Sequence, residues 1–155
     1  MIRKRSAAAL ATAALSWSGA ALGEAQLGSA TEARAMLDHA VAALKSDRTA
    51  ALNAFNDEKN KQFRDRDLYV YCFNLADGKF TAYEFSALIG ADIRQFRLYD
   101  KPMGQHAYDV VHDAPEGAVV DFDYEMPKPG AKTPSPKQAL EARVGDQACG
   151  VSYYK

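Results

Sequence analysis

The run Leu68–Leu75 limits the fold more than any other part of this chain. It reads Leu-Tyr-Val-Tyr-Cys-Phe-Asn-Leu and is apolar or aromatic on both faces of an extended backbone. A strand with one face in water alternates apolar and polar residues, so a strand without alternation needs cover on both sides. The run therefore predicts a central strand. The chain has 155 residues, of which 48% are hydrophobic and 25% charged, values typical of one globular domain rather than a disordered or fibrous protein.

The N-terminus has the three-part pattern of a secretory signal peptide. Residues 3–5 are basic, and an uncharged, mostly apolar run of about 16 residues follows over 7–22. Small residues at the end of this run favour cleavage after Gly23, with cleavage after Ala25 as the alternative. A membrane anchor is the other interpretation, but a spanning helix needs about 20 apolar residues. We expect residues 1–23 to be removed and no stable membrane insertion.

Export changes the charge of the chain. Removing the leader takes away three basic residues and no acidic one, so the formal net charge falls from −1 to −4 for residues 24–155. A nucleic-acid partner usually requires a clearly basic surface. We therefore expect no nucleic-acid binding, and a periplasmic or secreted location.

The only two cysteines are Cys72 and Cys149. In an oxidising compartment such an isolated pair is expected to form a disulfide, whereas in the cytosol it would be two buried thiols. Closing a loop of 77 residues would stabilise the fold by about 4 to 4.5 kcal/mol. A zinc site is a poor alternative, because it needs four nitrogen or sulfur ligands and the sequence has no Cys-x-x-Cys or histidine cluster. No metal and no cofactor are expected.

Apolar spacing predicts helices in the first third of the chain. Ser29 and Glu32 have the spacing of a capping box, and the three- and four-residue apolar spacing after them predicts a helix from Thr31 to Ala43 or Lys45. A weaker signal over 49–55 predicts either a continuation or a second short helix. The polar stretch 56–67 is interpreted as a connection.

The remaining two thirds of the chain predict mainly strands. After Leu68–Leu75, the Asp-Gly pair at 77–78 predicts a hairpin to a strand at 79–84. Further segments comprise a short helix or packed loop at 86–96, a short helix at 105–112, an alternating strand at 119–126, a loop through Pro136, and a hairpin of 139–144 with 148–154. The prediction is a single α+β domain over 24–155, with helices at about 29–57 and about five antiparallel strands at 68–155. The short helices lie between strands two and three.

Five segments, in this order and spacing, resemble the small single Cache domains, which are extracytoplasmic sensor modules with a PAS-like fold. They are Leu-Tyr-Val-Tyr-Cys-Phe before the Asp-Gly turn, Ala87–Gly90, Asp100–Pro102, Phe122–Pro129 and Cys149–Tyr154. The chain departs from the family at Tyr83, where a histidine is common, at Phe85-Ser86, where Asn-Pro is common, and at Met126, where tryptophan is usual. The identity of a family ligand is therefore not carried over.

The resemblance implies that the first strand of the sheet lies beside the last. That order would make Cys72 and Cys149 cross-strand neighbours, within the distance that a disulfide tolerates. Strand alternation would then place Tyr69, Tyr71 and Phe73 on the opposite face, which they would share with the small residues Gly150 and Ser152. Large aromatics opposite small residues predict a cavity on that face.

Tyrosines and lysines are the candidate ligand residues. Tyr71, Tyr83 and Tyr124 would offer apolar walls with hydroxyl groups, and the alternative is that they are core aromatics. The family binds small organic acids and amino acids, which implies that a carboxylate is neutralised by Lys101, Lys137 or Arg143; ordinary surface charges are the alternative. The carboxylates of 121, 123 and 125 share a strand face and are interpreted as a solvated surface rather than a cation site.

The sequence lacks the local motifs of common enzymes. It contains no Gly-x-Ser-x-Gly, no phosphate-binding glycine loop and no His-Glu-x-x-His, so we expect no enzymatic activity. The first hypothesis is an exported sensor-like domain without its own output domain. It would bind a small metabolite, an organic acid or amino acid, and act with a membrane-bound sensor or transporter. The alternative is a periplasmic interaction or structural protein whose pocket is filled by side chains.

Overall fold

The computed structural model describes residues 26–155, and the leader with its cleavage site lies outside this part of the chain. Three α-helices occur here, namely α1 (Ala30–Ser46), α2 (Arg48–Phe55) and α3 (Met103–His112). The strands are β1 (Arg64–Asp65), β2 (Leu68–Tyr69), β3 (Tyr71–Asn74), β4 (Phe80–Ala82), β5 (Val119–Pro127), β6 (Pro134–Val144) and β7 (Gln147–Tyr154). Two short 3₁₀ helices, Ser86–Leu88 and Ile93–Gln95, lie between β4 and α3. The predicted α+β class is confirmed.

Helix α1 begins at the predicted capping box. The Glu32 backbone N–H donates to the Ser29 hydroxyl, and the Glu32 carboxylate accepts from the Ser29 backbone N–H at 2.7 Å. The apolar face of α1 packs on the sheet. Asp47 ends this helix and caps the next, because its carboxylate accepts from the Ala50 N–H. Of the two alternatives predicted for residues 49–55, the second is therefore correct: they belong to a separate short helix, α2.

Five strands form one antiparallel sheet in the order β4-β3-β7-β6-β5. The central pair is β3 with β7, as the resemblance implied. Helices α1 and α2 cover one face of the sheet, while α3 and the 3₁₀ helices cover the other. Both faces of the central strands are therefore buried, which explains why β3 lacks polar alternation.

The disulfide between Cys72 and Cys149 is confirmed. The two residues are direct partners on β3 and β7, with their Cα atoms 4.1 Å apart, and neither is accessible to solvent. They belong to the core beneath the helices α1 and α2. By strand alternation, the neighbouring pair Tyr71 and Gly150 faces the opposite side of the sheet.

The prediction of one uninterrupted strand over 68–75 was wrong. The chain changes partner at Val70, whose N–H donates to the Phe63 carbonyl, so β2 pairs with β1 and only β3 joins the main sheet. The polar stretch 56–67, which the sequence analysis interprets as a connection, contains the short strand β1. A two-residue strand held mainly by backbone hydrogen bonds leaves no apolar pattern in the sequence.

The loop predicted through Pro136 is also shorter than expected. Strand β5 extends to Pro127, and β6 starts at Pro134, directly opposite it. The Pro136 carbonyl accepts from the Lys155 N–H, so Pro136 directs its own backbone groups away from β5. The donor that Pro136 lacks would point to the β7 side of β6, where residue pairing with β7 begins only at Lys137, so the strand tolerates it.

Candidate functional site

A cavity of about 30 Å³ lies between the sheet and the layer formed by α3 and the 3₁₀ helices. Its walls are mostly aromatic, with a few small or flexible residues. The lining consists of Tyr69, Tyr71, Phe80, Tyr83, Ile93, Phe96, Met103, Gly104, Ala107, Phe122, Tyr124 and Ser152. The predicted cavity is thus present on the predicted face of the sheet.

The space beside β7 is created by a missing side chain. Gly150 lies opposite Tyr71, and a Cβ atom at Gly150 would be 2.5 Å from the Tyr71 hydroxyl oxygen. The Tyr71 side chain therefore lies directly over the backbone of the neighbouring strand. Glycine is needed here for this close approach rather than for an unusual backbone angle.

The Tyr71 hydroxyl donates to Oε1 of Glu141 at 2.6 Å. Glu141 is inaccessible to solvent, and its Oε2 atom has no hydrogen-bond partner among residues 26–155. Burial raises the pKa of the Glu141 carboxyl to about 8, and the hydrogen bond from Tyr71 opposes this shift. The carboxyl is therefore protonated at neutral pH.

Sequence reasoning missed Glu141. Glu141 lies inside the strand predicted at 139–144, but a glutamate in a strand of the C-terminal hairpin resembles a surface residue. Strand alternation was the available signal, since Lys137, Ala139 and Glu141 occupy alternate positions of β6 and share the face that bears the cavity.

Lys137 is a buried cation beside Tyr69, one of the cavity walls. Only 3% of the Lys137 surface is exposed to solvent. The Lys137 Nζ lies 4.5 Å from the ring centre of Tyr154 and 5.9 Å from that of Tyr69. Burial lowers the pKa of the amine, and the carboxylates of Asp67 and Glu84 oppose this shift. Among residues 26–155, the lysines that form ion pairs are Lys79, Lys101 and Lys155. Within this part of the chain, Lys137 therefore has no carboxylate within 4 Å of its amine.

Hydroxyl groups line the cavity between these two ends. Ser152 is paired with Ala139 in the sheet, and a hydrogen bond with Ser152 opposes the upward shift that burial gives to the pKa of Tyr124. The rings of Tyr69 and Tyr83 meet edge to face with their centres 5.9 Å apart. The cavity thus offers apolar surface with several hydroxyls, the usual character of a small-molecule site.

A larger groove of about 650 Å³ opens beside the cavity on the protein surface. Met103 and Tyr124 line both spaces, so these two side chains form the partition between cavity and groove. Lys101 borders only the groove, where its amine lies 3.7 Å from the Glu125 carboxylate.

The structure brings together four of the predicted ligand residues, Tyr71, Tyr83, Tyr124 and Ser152, as cavity walls, and places Lys137 beside them. Phe73 belongs to the core behind the cavity and packs on Tyr108. Arg143 donates to the backbone carbonyl of His112 at the far end of β6 and contacts neither space. Lys101 and Arg143 therefore do not share one site with Lys137.

The carboxylates on the outer face of β5 have local partners. Asp121 accepts from Gln138, Asp123 pairs with Lys155, and Glu125 faces Lys101. Over residues 26–155, no three His, Cys, Asp or Glu side chains come together as a metal site. Within the same residues, no helix has the length and apolarity required to cross a bilayer.

Comparisons with known proteins find similarity only among solved structures. No protein-family model matches the chain, and no curated protein sequence matches it. Among solved structures, a "Periplasmic sensor domain of chemotaxis protein" is 21% identical, with a TM-score of 0.56, over 80% of this chain and 88% of that one. A methyl-accepting chemotaxis protein from Vibrio parahaemolyticus RIMD 2210633 is 16% identical, with a TM-score of 0.60, over 80% and 86%.

A third similar structure is described as the "Structural basis for carboxylic acid recognition by a Cache chemosensory domain". It is 17% identical to this chain, with a TM-score of 0.54, and the match covers 80% of this chain and 86% of that one. These similarities show that the fold is that of Cache sensor domains. The resemblance based on the sequence segments is thereby confirmed for the fold.

Proposed function

We propose that this chain, which has the fold of Cache sensor domains, is a ligand-sensing domain that binds a small carboxylic acid beside Lys137. The observation that supports this proposal most strongly is the buried amine without a carboxylate partner. An unpaired buried ammonium is costly, and a carboxylate ligand would provide the missing opposite charge. One similar structure is described as recognising a carboxylic acid, which supports the same ligand class.

In this proposal the apolar part of the ligand lies between the aromatic walls. Tyr71, Tyr83, Tyr124 and Ser152 provide hydroxyl groups around it, and Lys137 neutralises its carboxylate. Phe73 supports the wall from behind. Lys101 attracts the acid at the groove, outside the cavity.

The cavity volume sets a condition on this proposal. A cavity of about 30 Å³ has room for about two water molecules, so binding of an organic acid requires the walls to move. The two side chains that separate the cavity from the groove are Met103 and Tyr124. Their outward rotation would join the two spaces and give the ligand a path to Lys137.

We further propose that the domain acts outside the cytoplasm. The signal-peptide pattern at residues 1–23, the disulfide and the similarity to periplasmic sensor domains support export. The bound state would be communicated to a partner such as a membrane-bound sensor or transporter. No enzymatic step is proposed, and a similarity to chemotaxis sensor domains supports that choice at the level of the fold.

The second candidate is an interaction protein whose cavity stays filled by its own side chains. The small volume of the cavity is the observation that favours it. Under this alternative Tyr71 and Tyr124 are core residues, and the protein surface carries the function.

Calorimetry and thermal shift with a panel of short mono- and dicarboxylic acids and amino acids test the two candidates. We expect at least one acid to bind, and Lys137→Met to weaken its binding by at least about thirtyfold. Lys132→Met is the matched control, because Lys132 is exposed on a loop, and it should bind like the wild type. If no acid binds at millimolar concentration, and an envelope protein is captured instead, the second candidate is correct.

A further inference from the structure

The two edges of the main sheet differ in how their backbone groups are paired. At the β4 edge, the Phe80 N–H donates to the Ala91 carbonyl at 2.9 Å, and the Phe80 carbonyl accepts from the Gly90 N–H at 2.8 Å. The Thr81 carbonyl accepts from the Asn56 side chain at 3.0 Å. The chain itself therefore covers this edge, which prevents a further strand from joining the sheet there.

Strand β5 forms the opposite edge, and its pairing with β6 fixes which of its backbone groups face outward. The Pro136 carbonyl accepts from the Lys155 N–H, on the β7 side of β6. The Arg143 carbonyl accepts from the Gly117 N–H, on the β5 side. Because this direction alternates along a strand, the odd-numbered residues of β6 bond to β5, where their partners are even-numbered. The odd-numbered residues of β5 therefore direct their N–H and C=O groups away from the sheet.

The outward residues of β5 are Val119, Asp121, Asp123 and Glu125. Among residues 26–155, none donates to or accepts from the outward N–H and C=O groups of these four. A strand of nine residues with a free edge is a template on which a further strand can pair. The β5 edge is thus open, whereas the β4 edge is closed.

The groove of about 650 Å³ follows this open edge. Asp123, Tyr124 and Glu125 are consecutive, so their side chains lie on both faces of the strand, yet all three line the groove. The groove therefore passes along the edge itself rather than over one face. The loop Leu98–Pro102 also lines it, and within this loop Tyr99 is 55% exposed. An extended segment in the groove would thus lie beside free backbone groups and an exposed aromatic ring.

The side chains along the edge select the charge of that segment. Asp121, Asp123 and Glu125 are exposed on the face opposite the cavity and are here called the acidic row. Lys155 and Lys101 pair with two of them, but these side chains are all exposed, and such pairs contribute little. A second copy paired antiparallel through β5 would place its own acidic row opposite this one, which is unfavourable for like charges. A basic segment would instead be attracted.

We propose that the β5 edge binds an extended segment of a partner protein in which lysine or arginine alternates with apolar residues. Backbone hydrogen bonds would add this segment to the sheet as a further strand. Its cations would lie opposite the acidic row, and its apolar residues would face Tyr99 and Tyr124 in the groove. This inference goes beyond the proposed function, because it requires neither Lys137 nor an acid.

Calorimetry with the peptide acetyl-Lys-Val-Lys-Val-Lys-Val-Lys-amide tests this inference. Opposite the acidic row, the lysine amides of the peptide point to β5 and its valine amides point away. Methylation of the two inner lysine amide nitrogens should therefore weaken binding at least about tenfold, whereas methylation of two valine amide nitrogens should change it less than about threefold. Equal weakening by both methylations would overturn the inference. So would a glutamate analogue that binds as tightly as the lysine peptide.

Amide hydrogen exchange locates the peptide on the protein. In the free protein, the amides of Asp121 and Asp123 should exchange at least about tenfold faster than those of Phe122 and Tyr124, which bond to β6. The lysine peptide should slow the exchange of the two aspartate amides. Protection confined to other parts of the protein, or no binding at millimolar concentration, would overturn the inference. Neither result bears on the binding of an acid at Lys137.

Variants of the edge separate its charges from its backbone. Asp121→Asn/Asp123→Asn should weaken binding of the lysine peptide about tenfold. The matched control, Asp57→Asn/Glu58→Gln, removes the same charge from an exposed loop and should bind like the wild type, and equal weakening in both would contradict a site on β5. Asp123→Pro removes one outward N–H and should abolish binding. If the wild type is instead a dimer that Asp123→Pro dissociates, a second copy occupies the edge and the inference is wrong.

Discussion

Tyr71 and Gly150 face each other across the central strand pair, and a Cβ atom at Gly150 would be 2.5 Å from both the Tyr71 hydroxyl oxygen and its ring carbon Cζ. One strand therefore lacks a side chain where the other has its largest. This relationship positions the Tyr71 hydroxyl beside Glu141 and forms one end of the cavity.

Gly150→Ala should destabilise the protein although alanine favours a strand more than glycine does. The added methyl would meet the Tyr71 ring and the Glu141 Cγ at 2.9 Å, an overpacking that costs about 1 to 3 kcal/mol. Urea denaturation measures the change in the free energy of unfolding. In a Tyr71→Leu background only the contact with Glu141 remains, so the same substitution should cost less than in the wild type, and an equal cost in both backgrounds would contradict this explanation.

The pH dependence of stability should reveal Glu141. Its pKa is about 8 in the folded state and near 4.5 when unfolded, so between these values the folded state binds more protons. The contribution is complete below about pH 4.5 and is lost as the pH rises through 8, with a slope of up to about 1.4 kcal/mol per pH unit.

Urea denaturation at pH 5, 6, 7 and 8 measures this slope. The wild type should become less stable toward pH 8, and Glu141→Gln should flatten the profile because it cannot ionise. A wild-type profile that is flat or rises over this interval would show that Glu141 ionises normally in the folded protein.

The sequence predicts the cavity better than it predicts the residues around it. Strand alternation follows from short-range geometry, and together with the strand order that the family resemblance implied it places Tyr71 opposite Gly150. Glu141 was not predicted, since its burial depends on α3 covering the sheet, and contacts distant in sequence have no local pattern. The two prolines at the start of β6 were missed for a similar reason: Pro134 and Pro136 lie beyond the ladder with β7, so no partner there requires the N–H groups that they lack.

Removal of the disulfide should cost much of the stability of this domain. The Cys72 to Cys149 loop spans 77 residues, so the double variant Cys72→Ala/Cys149→Ala should lose about 4 kcal/mol in the free energy of unfolding. Wild type unfolded in the presence of a reductant should match the double variant. Because both cysteines are inaccessible, reduction of the native protein should be no faster than its opening. A loss below about 1 kcal/mol would mean that the reduced chain keeps the same loop closed without the bond.

Gly104→Ala should disrupt the helical layer over the cavity. A Cβ atom at Gly104 would be 1.8 Å from the Ile93 carbonyl oxygen, a backbone atom that cannot rotate away, and Gly104 N–H donates to the Phe96 carbonyl at 3.0 Å. In an ordinary helix this substitution would raise the free energy of unfolding by up to about 1 kcal/mol, but here we expect it to fall by at least about 2 kcal/mol. We also expect weaker acid binding, because α3 must move away from the cavity. Urea denaturation and calorimetry measure the two effects. Asp109→Ala, at an exposed position of α3, is the control and should change stability by less than about 1 kcal/mol. A Gly104→Ala protein as stable as wild type would contradict this close approach of α3 to the 3₁₀ helix.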